Sequence, residues 1–218
     1  MKSVVLLSGG LDSAVCLAHG VRDGTVLLCL TFDYGQQAAS REIEAAAALS
    51  RYYGVPHRVT HLSFFAEITK TALVTGADLP EPEITTLDDP SQATAAALQV
   101  WVPNRNGVFL NVAAAFAEYL GADAVITGFN REEAAAFPDN STGFVAAATA
   151  ALAYSTLNRV RVVSYTQYLD KAEIVRLGRR LGVPFELMWS CYRGGAEMCR
   201  RCESCLRFLR ALAAGGEE

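Results

Sequence analysis

The sequence predicts an α/β fold in which helices cover both faces of one doubly wound, mostly parallel sheet. Short apolar segments, which are typical of buried strands, alternate with longer segments whose apolar residues recur at helical spacing. Small polar or glycine-rich turns follow three of the strand segments. The chain has 218 residues, of which 51% are hydrophobic, so it can form one large domain with a substantial core.

The first predicted strand and helix are joined by a turn with the sequence SGGLDS. Residues 4–7 are apolar, two glycines end that strand, and Asp12 and Ser13 are suitable N-cap residues for the helix that follows. Backbone N–H groups at such a junction, with a helix dipole behind them, suit phosphate oxygens. The Walker lysine and the three-glycine dinucleotide fingerprint are missing. The sequence therefore predicts a different phosphate loop, and the alternative is a tight turn without a ligand.

The remaining elements follow in the order that an α/β sheet requires. Four further strands are predicted from short apolar or alternating segments: residues 25–32, 57–62, 124–127 and 160–164. Helices are predicted from apolar residues at helical spacing: 38–53, 64–70, 91–100, 108–120, 144–157, 169–181 and 203–212. Gly54 and Gly121 end two of these helices, and Ser141 is a suitable cap for another. The segment 63–104 is too long for a simple connection, so we expect a lid, a binding loop or an interface arm.

Polar turns follow the second and fourth strands at the edge of the sheet where the phosphate loop lies. The second strand ends in DYGQ (33–36), and the fourth is followed by GFN (128–130). The segment VPNRN (102–106) offers a guanidinium and amides that suit an anion or the edge of a base. The alternatives are that Tyr34 is a half-buried aromatic at a strand end and that Arg105 is a loop arginine in a salt bridge.

Four of the six cysteines lie close together in the sequence near the C-terminus. They are Cys191, Cys199, Cys202 and Cys205, with the spacing C-x7-C-x2-C-x2-C. Four thiolates at this spacing predict a closed tetrahedral zinc site, and an iron–sulfur cluster is the alternative. Because four protein ligands leave no open position, the metal would be structural and would hold the helix 203–212 over the cleft.

The other cysteines and the C-terminal arginines have simpler interpretations. Cys16 and Cys29 lie in apolar runs and are predicted to be small buried core residues. The arginines near the metal site predict a solvated basic face, with a phosphate or RNA site as the alternative: Arg200, Arg201, Arg207 and Arg210.

Charge and hydropathy exclude several classes of protein. The net charge is −4 and the isoelectric point is near 5.5, so no global basic field attracts nucleic acid. No segment approaches the roughly 20 uninterrupted apolar residues that a membrane span requires. The first residues lead directly into a strand without the layout of a signal peptide. We therefore expect a cytoplasmic protein.

The hexapeptide SGGLDS resembles the SGGxDS pyrophosphate loop of the N-type ATP pyrophosphatases. Together with DYGQ, VPNRN, TGFN, LDKAEI (169–174) and the terminal cysteines, it makes nearly the whole chain similar to the QueC family of 7-cyano-7-deazaguanine synthases. The resemblance implies an adenine nucleotide α-hydrolase-like fold. It places a PP-loop domain at 1–185, with 63–104 as an insert or lid, and a zinc-binding segment at 186–218 packed on it.

The resemblance also implies an activity. A ligase of this family would convert 7-carboxy-7-deazaguanine and ammonia to the nitrile preQ0, a precursor of queuosine or archaeosine. ATP would be split between its α and β phosphates, first to adenylate the carboxylate and then to activate the amide, with release of AMP and diphosphate. The resemblance further implies Mg²⁺ on the phosphates and a homodimer. Two alternatives are an AMP-forming enzyme that acts on tRNA or protein and a nucleotide-binding module without catalysis.

By the same resemblance, ATP lies against the loop, the end of the second strand and the VPNRN turn. The residues concerned are Leu7, Ser8, Gly9, Gly10, Leu11, Asp12, Ser13, Ala14, Val15, Cys16, Leu17, Asp33, Tyr34, Gly35, Gln36, Arg105 and Asn106. The backbone N–H groups up to Ser13 would stabilise the departing diphosphate. Asp12 would hold Mg²⁺ directly or through water, and Arg105 would offset charge at the α phosphate.

The substrate heterocycle is expected at the turn after the fourth strand. The residues concerned are Gly128, Asn130, Phe137, Pro138 and Asp139. Phe137 would stack on the ring, and Asp139 would accept hydrogen bonds from its amino edge. The candidate catalytic residues are Asp12, Ser13, Arg105 and Asp139. Residues 135–141 read AAFPDNS where many members of the family have SGYPDCR. The aromatic-Pro-Asp core is present, whereas the cysteine and arginine are replaced.

Overall fold

A computed structural model describes residues 1–216 and has a five-stranded sheet at its centre. The strands are β1 (Lys2–Leu6), β2 (Thr25–Asp33), β3 (His57–His61), β4 (Ala124–Ile126) and β5 (Arg161–Val163). All neighbouring pairs are parallel, and the order across the sheet is β3-β2-β1-β4-β5. The predicted α/β class with a doubly wound parallel sheet is confirmed.

Helices surround the sheet on both faces. They are α1 (Leu11–Asp23), α2 (Ala39–Tyr52), α3 (Phe64–Ile68), α4 (Ala72–Thr75), α5 (Pro90–Val100), α6 (Arg105–Leu120), α7 (Arg131–Ala134), α8 (Thr142–Ser155), α9 (Lys171–Arg180) and α10 (Glu203–Ala214). Single 3-10 turns lie at Ile84–Thr86, Pro138–Asn140 and Phe185–Leu187. Within residues 1–216, none of the helices combines the length and the hydropathy needed to cross a bilayer.

The central strand β1 is buried on both faces, as a parallel sheet requires. Val4 and Val5 are fully buried, and they belong to two different apolar clusters. One cluster contains residues of α6 and the other contains residues of α1 and α9. Because β1 is flanked by β2 on one side and β4 on the other, the chain reverses its winding there. The carboxyl ends of these strands therefore open into the crevice where ligands bind in such sheets.

Two helix starts differ from the predictions. The N-cap of α1 is Gly10, and it makes no side-chain capping bond, so Asp12 and Ser13 are not caps but belong to the first turn. The Ser13 hydroxyl instead donates to the Gly10 carbonyl oxygen at 3.0 Å. Helix α6 begins at Arg105, one turn before the predicted residue 108, after Asn104 adopts a left-handed conformation. The predicted cap of α8 is confirmed, because the Ser141 hydroxyl accepts a hydrogen bond from the Phe144 N–H at 3.1 Å.

The segment 63–104 packs onto the domain through buried apolar side chains. Phe65 is fully buried, and Leu73, Leu79 and Leu87 are each at most 5% exposed. The segment contains α4, which is too short to give a periodic signal in the sequence. Its function as a lid or as the interface of a homodimer stays a prediction, as do the domain boundaries.

Candidate functional site

A cavity of about 290 Å³ opens at the carboxyl ends of β1, β2 and β4. Its wall includes parts of the predicted phosphate loop, the end of β2, the start of α6 and several residues near the C-terminus. These parts are far apart in the sequence, and the topology of the sheet brings them to one edge.

The predicted phosphate loop faces this cavity at the N-terminus of α1. The hydroxyl oxygens of Ser8 and Ser13 lie 3.1 Å apart, and the Gly10 N–H points to the Ser8 hydroxyl at 3.4 Å. The N–H groups of the first turn of a helix have no acceptors within that helix. The loop therefore presents free backbone donors and two hydroxyls at the positive end of a 13-residue helix.

Gly9 is required by the fold of this loop, and we expect Gly9→Ala to destabilise the protein. The backbone has a φ of 81° at this position, and an added Cβ would lie 2.8 Å from the Ala45 Cβ and 2.9 Å from the Glu42 carbonyl oxygen. The substitution should lower the free energy of unfolding by about 2–3 kcal/mol. Thermal denaturation should show this loss as a melting temperature about 5–10 °C lower.

Gly10→Ala is the matched control for that substitution. A Cβ at Gly10 would make ordinary contacts, 3.5 Å from the Ser8 hydroxyl and 3.8 Å from the Trp189 carbonyl oxygen. We expect this variant to melt near the parent temperature. If ATP binds as the resemblance implies, the variant should bind it more weakly, because the methyl group enters the space predicted for a phosphate. Equal melting temperatures for Gly9→Ala and the parent protein would contradict the requirement for glycine at position 9.

Lys171 bridges two carboxylates beside the loop. Its ammonium lies 2.6 Å from Asp12 Oδ2 and 2.5 Å from Glu133 Oε1, and its side chain is only 11% exposed. Burial raises the pKa of Asp12 to about 6 although the nearby ammonium opposes this change. The pKa of Lys171 is raised overall because the attraction of both carboxylates outweighs the effect of burial. The ammonium is therefore charged at neutral pH, and the buried Asp12 Oδ1 has no partner among residues 1–216.

Gly128 and Asn130 position these groups. An added Cβ at Gly128 would lie 2.7 Å from the Ser13 nitrogen, so only glycine lets the turn after β4 approach the loop this closely. Asn130 is fully buried and caps α7, and its Oδ1 accepts the Glu133 N–H at 2.8 Å. The prediction identified Gly128 and Asn130 but missed Lys171 and Glu133. The capping box around Lys171 indicates in the sequence that a helix starts there. It does not indicate which strand ends this helix faces in the fold.

Tyr34 and Arg105 contact each other at the end of β2. Arg105 Nη1 donates to the Tyr34 hydroxyl at 3.1 Å, and the guanidinium carbon lies 5.6 Å from the centre of the tyrosine ring. Burial raises the pKa of the Tyr34 hydroxyl, so it stays neutral at physiological pH. Because α6 begins at Arg105, the side chain extends from the first turn of a long helix toward the cavity.

The other DYGQ side chains shape the end of β2 rather than line the cavity. Gln36 accepts the Tyr34 N–H at 2.9 Å and donates to the Phe32 carbonyl oxygen at 3.1 Å. Asp33 accepts the Gly35 N–H at 3.1 Å. These bonds fix the turn that holds the tyrosine ring.

The predicted ATP-binding residues divide into two groups. Those that line the cavity are Leu7, Ser8, Gly10, Leu11, Asp12, Ser13, Tyr34, Arg105 and Asn106. The side chains that do not line it include four fully buried in α1: Ala14, Val15, Cys16 and Leu17. Burial raises the pKa of Cys16 to about 11, and its thiol donates to the Thr127 carbonyl oxygen at 3.3 Å. Cys16 is therefore the core residue that its apolar context predicts.

The predicted substrate residues lie partly outside the cavity wall. Gly128 and Phe137 line the cavity, whereas Asn130, Pro138 and Asp139 do not. One Asp139 carboxylate oxygen accepts from Asn140 Nδ2 at 3.2 Å, and the Asp139 carbonyl oxygen accepts from Asn106 Nδ2 at 3.5 Å. Burial raises the pKa of Asp139 although Arg105 opposes this change. Contact of Asp139 with a substrate stays a prediction.

The four C-terminal cysteines converge on one point. All four sulfur atoms lie within 4.8 Å of one another, with Cys191 and Cys202 4.0 Å apart and Cys199 and Cys205 3.9 Å apart. Four thiolates around one tetrahedral zinc, each about 2.3 Å from it, would be about 3.8 Å apart. Backbone N–H groups point to Cys191 Sγ and Cys199 Sγ at 3.3–3.4 Å. This donor set fits a single metal ion.

The cysteine segment forms one wall of the cavity. Trp189 N–H donates to the Gly9 carbonyl oxygen at 2.9 Å, and the Trp189 indole donates to the Cys191 carbonyl oxygen at 2.9 Å. Tyr192 and Arg207 also line the cavity. A metal held by the cysteines therefore fixes a wall that directly touches the phosphate loop.

Three of the C-terminal arginines are paired with carboxylates. The predicted solvated basic face is wrong for Arg207, whose side chain is only 14% exposed, whereas Arg201 is exposed as predicted. Arg207 Nη1 lies 2.6 Å from Glu132 Oε1, and Arg207 Nε lies 3.0 Å from Glu203 Oε1. Arg210 contacts Asp88 at 2.7 Å. The third, Arg201, lies 3.1 Å from Glu81. Through Glu132 and Asp88, Arg207 and Arg210 connect α10 to α7 and to the segment 63–104, an arrangement that sequence spacing does not reveal.

Comparison with known proteins yields one consistent family. The family model described as "Queuosine biosynthesis protein QueC" matches residues 2–216. A relative from Pelotomaculum thermopropionicum is 63% identical over 217 residues, which cover 99% of this chain and 98% of the relative. One from Desulforudis audaxviator is 62% identical, covering 99% and 98%. One from Methanothermobacter thermautotrophicus is 42% identical, covering 99% and 96%. All three relatives are named 7-cyano-7-deazaguanine synthase.

Proposed function

Because the chain belongs to the QueC family and is a ligase that forms carbon–nitrogen bonds, we propose that it converts 7-carboxy-7-deazaguanine and ammonia to 7-cyano-7-deazaguanine. The reaction consumes ATP and releases AMP and diphosphate. The observation that carries the proposal is the shared cavity, into which the loop, Lys171, Arg105 and Phe137 all project. One end of this cavity suits a polyphosphate, and the other offers an aromatic face.

The first step activates the carboxylate. One carboxylate oxygen of the substrate forms a bond to the α phosphorus, while the bond from that phosphorus to the bridging oxygen breaks and diphosphate leaves with the electron pair. The backbone donors at Ser8–Ser13 and the Lys171 ammonium stabilise the charge that develops on diphosphate. Arg105 offsets the charge at the α phosphate, because its guanidinium is held at the cavity by Tyr34.

The second and third steps form the nitrile. Ammonia attacks the acyl carbon, its surplus proton is lost, and the bond from that carbon to the AMP oxygen breaks, which gives an amide. The amide oxygen is then adenylated by a second ATP in the same way. Loss of AMP and of the two N–H protons leaves the carbon–nitrogen triple bond. AMP is the leaving group both when the amide forms and when the nitrile forms, because carboxylate and amide oxygens leave poorly at neutral pH.

Asp12 is the proposed Mg²⁺ ligand. Its Oδ2 is neutralised by the Lys171 ammonium, but its buried Oδ1 has no protein partner within residues 1–216 and suits a hard cation. When bound, Mg²⁺ would neutralise charge on phosphate oxygens. The four cysteines are proposed to hold Zn²⁺ in a structural role, because their sulfur atoms fill all four tetrahedral positions.

The proposal predicts AMP formation that depends on both the acid and ammonium. Purified protein should be incubated with Mg-ATP, ammonium and 7-carboxy-7-deazaguanine, and products followed by chromatography and mass spectrometry. We expect two AMP per nitrile and a product that has lost two oxygens and one hydrogen and gained one nitrogen. A reaction without ammonium is the control and should yield no nitrile. Formation of ADP, or AMP release that requires tRNA or a protein acceptor, would refute the proposal.

A further inference from the structure

Trp101 and Phe137 form a nearly parallel aromatic pair whose ring centres are far apart. Their rings are nearly parallel, at 11°, but their centres are 6.3 Å apart. The other stacked pairs among residues 1–216 have much shorter separations: Phe32–Phe109 at 4.3 Å, Phe64–Phe65 at 4.4 Å and His19–Tyr165 at 3.9 Å. Two van der Waals separations of about 3.5 Å amount to about 7 Å. The planes of the two rings cannot be farther apart than their centres, so the pair must open before it can hold a planar ring between its members.

The pair lies at the border of the nucleotide cavity. Phe137 lines that cavity, and Trp101 lines an open groove on the adjacent surface together with Pro103 and Leu98. Trp101 follows directly after α5 and lies four positions before Arg105. Phe137 immediately precedes the 3-10 turn Pro138–Asn140. Each ring therefore lies at the end of an element, where a small backbone shift can change the spacing of the two rings.

Polar groups that suit a nitrogen heterocycle are close to the pair. Asn106 lines the cavity and reaches the Asp139 backbone, two positions from Phe137. The Asp139 carboxylate accepts from Asn140 through one oxygen, which leaves the other oxygen for N–H donors of a ligand. A carboxylate beside an aromatic gap suits a flat ligand that carries N–H groups on its edge.

We propose that the planar heterocycle of the substrate binds between Trp101 and Phe137, and that Trp101 is a specificity-determining residue for flat, fused-ring carboxylic acids. This inference rests on the proposed function, because it assigns the binding position of that acid. ATP occupies the loop end of the cavity and does not require the pair. Trp101 contacts the substrate and takes no part in bond making or breaking.

Tryptophan fluorescence tests the inference directly. The chain has two tryptophans, Trp101 and Trp189, so the Trp189→Phe variant reports on Trp101 alone. Titration with 7-carboxy-7-deazaguanine in the absence of ATP should quench this emission saturably, because the heterocycle stacks on the indole. Titration with Mg-ATP alone should leave it nearly unchanged. No quenching by the acid, or equal quenching by ATP, would overturn the inference.

Kinetics of variants give a second, independent readout. Trp101→Ala should raise the KM for the acid at least about tenfold, since stacking of one base on an aromatic ring typically contributes this much to affinity. Trp101→Phe should keep the KM within about threefold, and the KM for ATP should stay constant in both variants. Tyr168→Ala is the control, because Tyr168 is 74% exposed and lies outside the cavity wall.

The outcomes separate this inference from the proposed function. A parent protein that releases no AMP with the acid and ammonium would refute the proposed function. A parent protein that turns over normally, with an unchanged KM in Trp101→Ala, would refute only the aromatic pair as the binding site. A parallel rise of the KM for ATP and for the acid in Trp101→Ala would also refute it, because a general disturbance of α6 would explain that result.

Discussion

Replacing Lys171 by methionine should lower the rate of AMP release by about 100- to 1000-fold. The ammonium is the positive charge closest to the loop, and removing one such group that stabilises a leaving group typically costs this much. The substitution also leaves Asp12 and Glu133 without their shared cation. We expect the free energy of unfolding to fall by about 3 kcal/mol as well. Steady-state kinetics and thermal denaturation measure the two effects.

Two further lysine variants make this prediction sharper. Lys171→Arg keeps the positive charge, so it should melt much closer to the parent temperature while losing at least about tenfold in activity, since the larger fork fits the narrow site poorly. Lys2→Met removes an exposed lysine from the first residue of β1, at the end of the strand opposite the cavity. It should change neither the rate of AMP release nor the melting temperature. Full activity in Lys171→Met would contradict the assigned position of the diphosphate.

Replacing Cys191 by serine should release the metal and abolish most of the activity. A serine hydroxyl is a poor ligand for zinc beside three thiolates, and structural zinc sites contribute strongly to folding. Because residues 189–192 touch the phosphate loop, loss of the metal should loosen the wall of the cavity. We expect zinc per chain, measured by elemental analysis, to fall from about one to near zero, with a melting temperature about 10 °C lower.

Cys29→Ala is the control for the metal experiment. Cys29 is fully buried in β2 and lies outside the cysteine cluster. This variant should keep about one zinc per chain and lose only the small contribution of one buried thiol. If Cys191→Ser retained zinc and activity, the four sulfur atoms would not be the ligands.

Features with a local cause could be predicted from the sequence. Strands and helices follow from periodicity, and the loop at Gly9 and Gly10 and the cysteine cluster follow from short spacings. Even there, the start of α1 was predicted incorrectly. Gly10 adopts an extended conformation and begins the helix, although Asp12 has the more favourable capping side chain. The tight turn at Gly9, where the backbone has a positive φ and packs closely against α2, determines the helix start here and outweighs capping preference.

Features that depend on distant pairs could not be predicted in this way. Lys171 and Asp12 are 159 positions apart, and Arg207 and Glu132 are 75 positions apart. An isolated lysine at a helix start, or an arginine in an amphipathic helix, is usually solvated. Only the folded structure, in which the carboxyl ends of the parallel strands lie side by side, shows that these charges are buried with partners.

The bond between Trp189 and Gly9 has a consequence for the order of events during synthesis. A ribosome that has released residues 1–180 has released all five strands and the phosphate loop, but not the wall that carries the cysteines. Such a nascent chain can form its sheet without a complete cavity. We therefore expect AMP release to be absent from a chain that ends before Trp189 and to require the residues through Arg207, which complete the cavity wall.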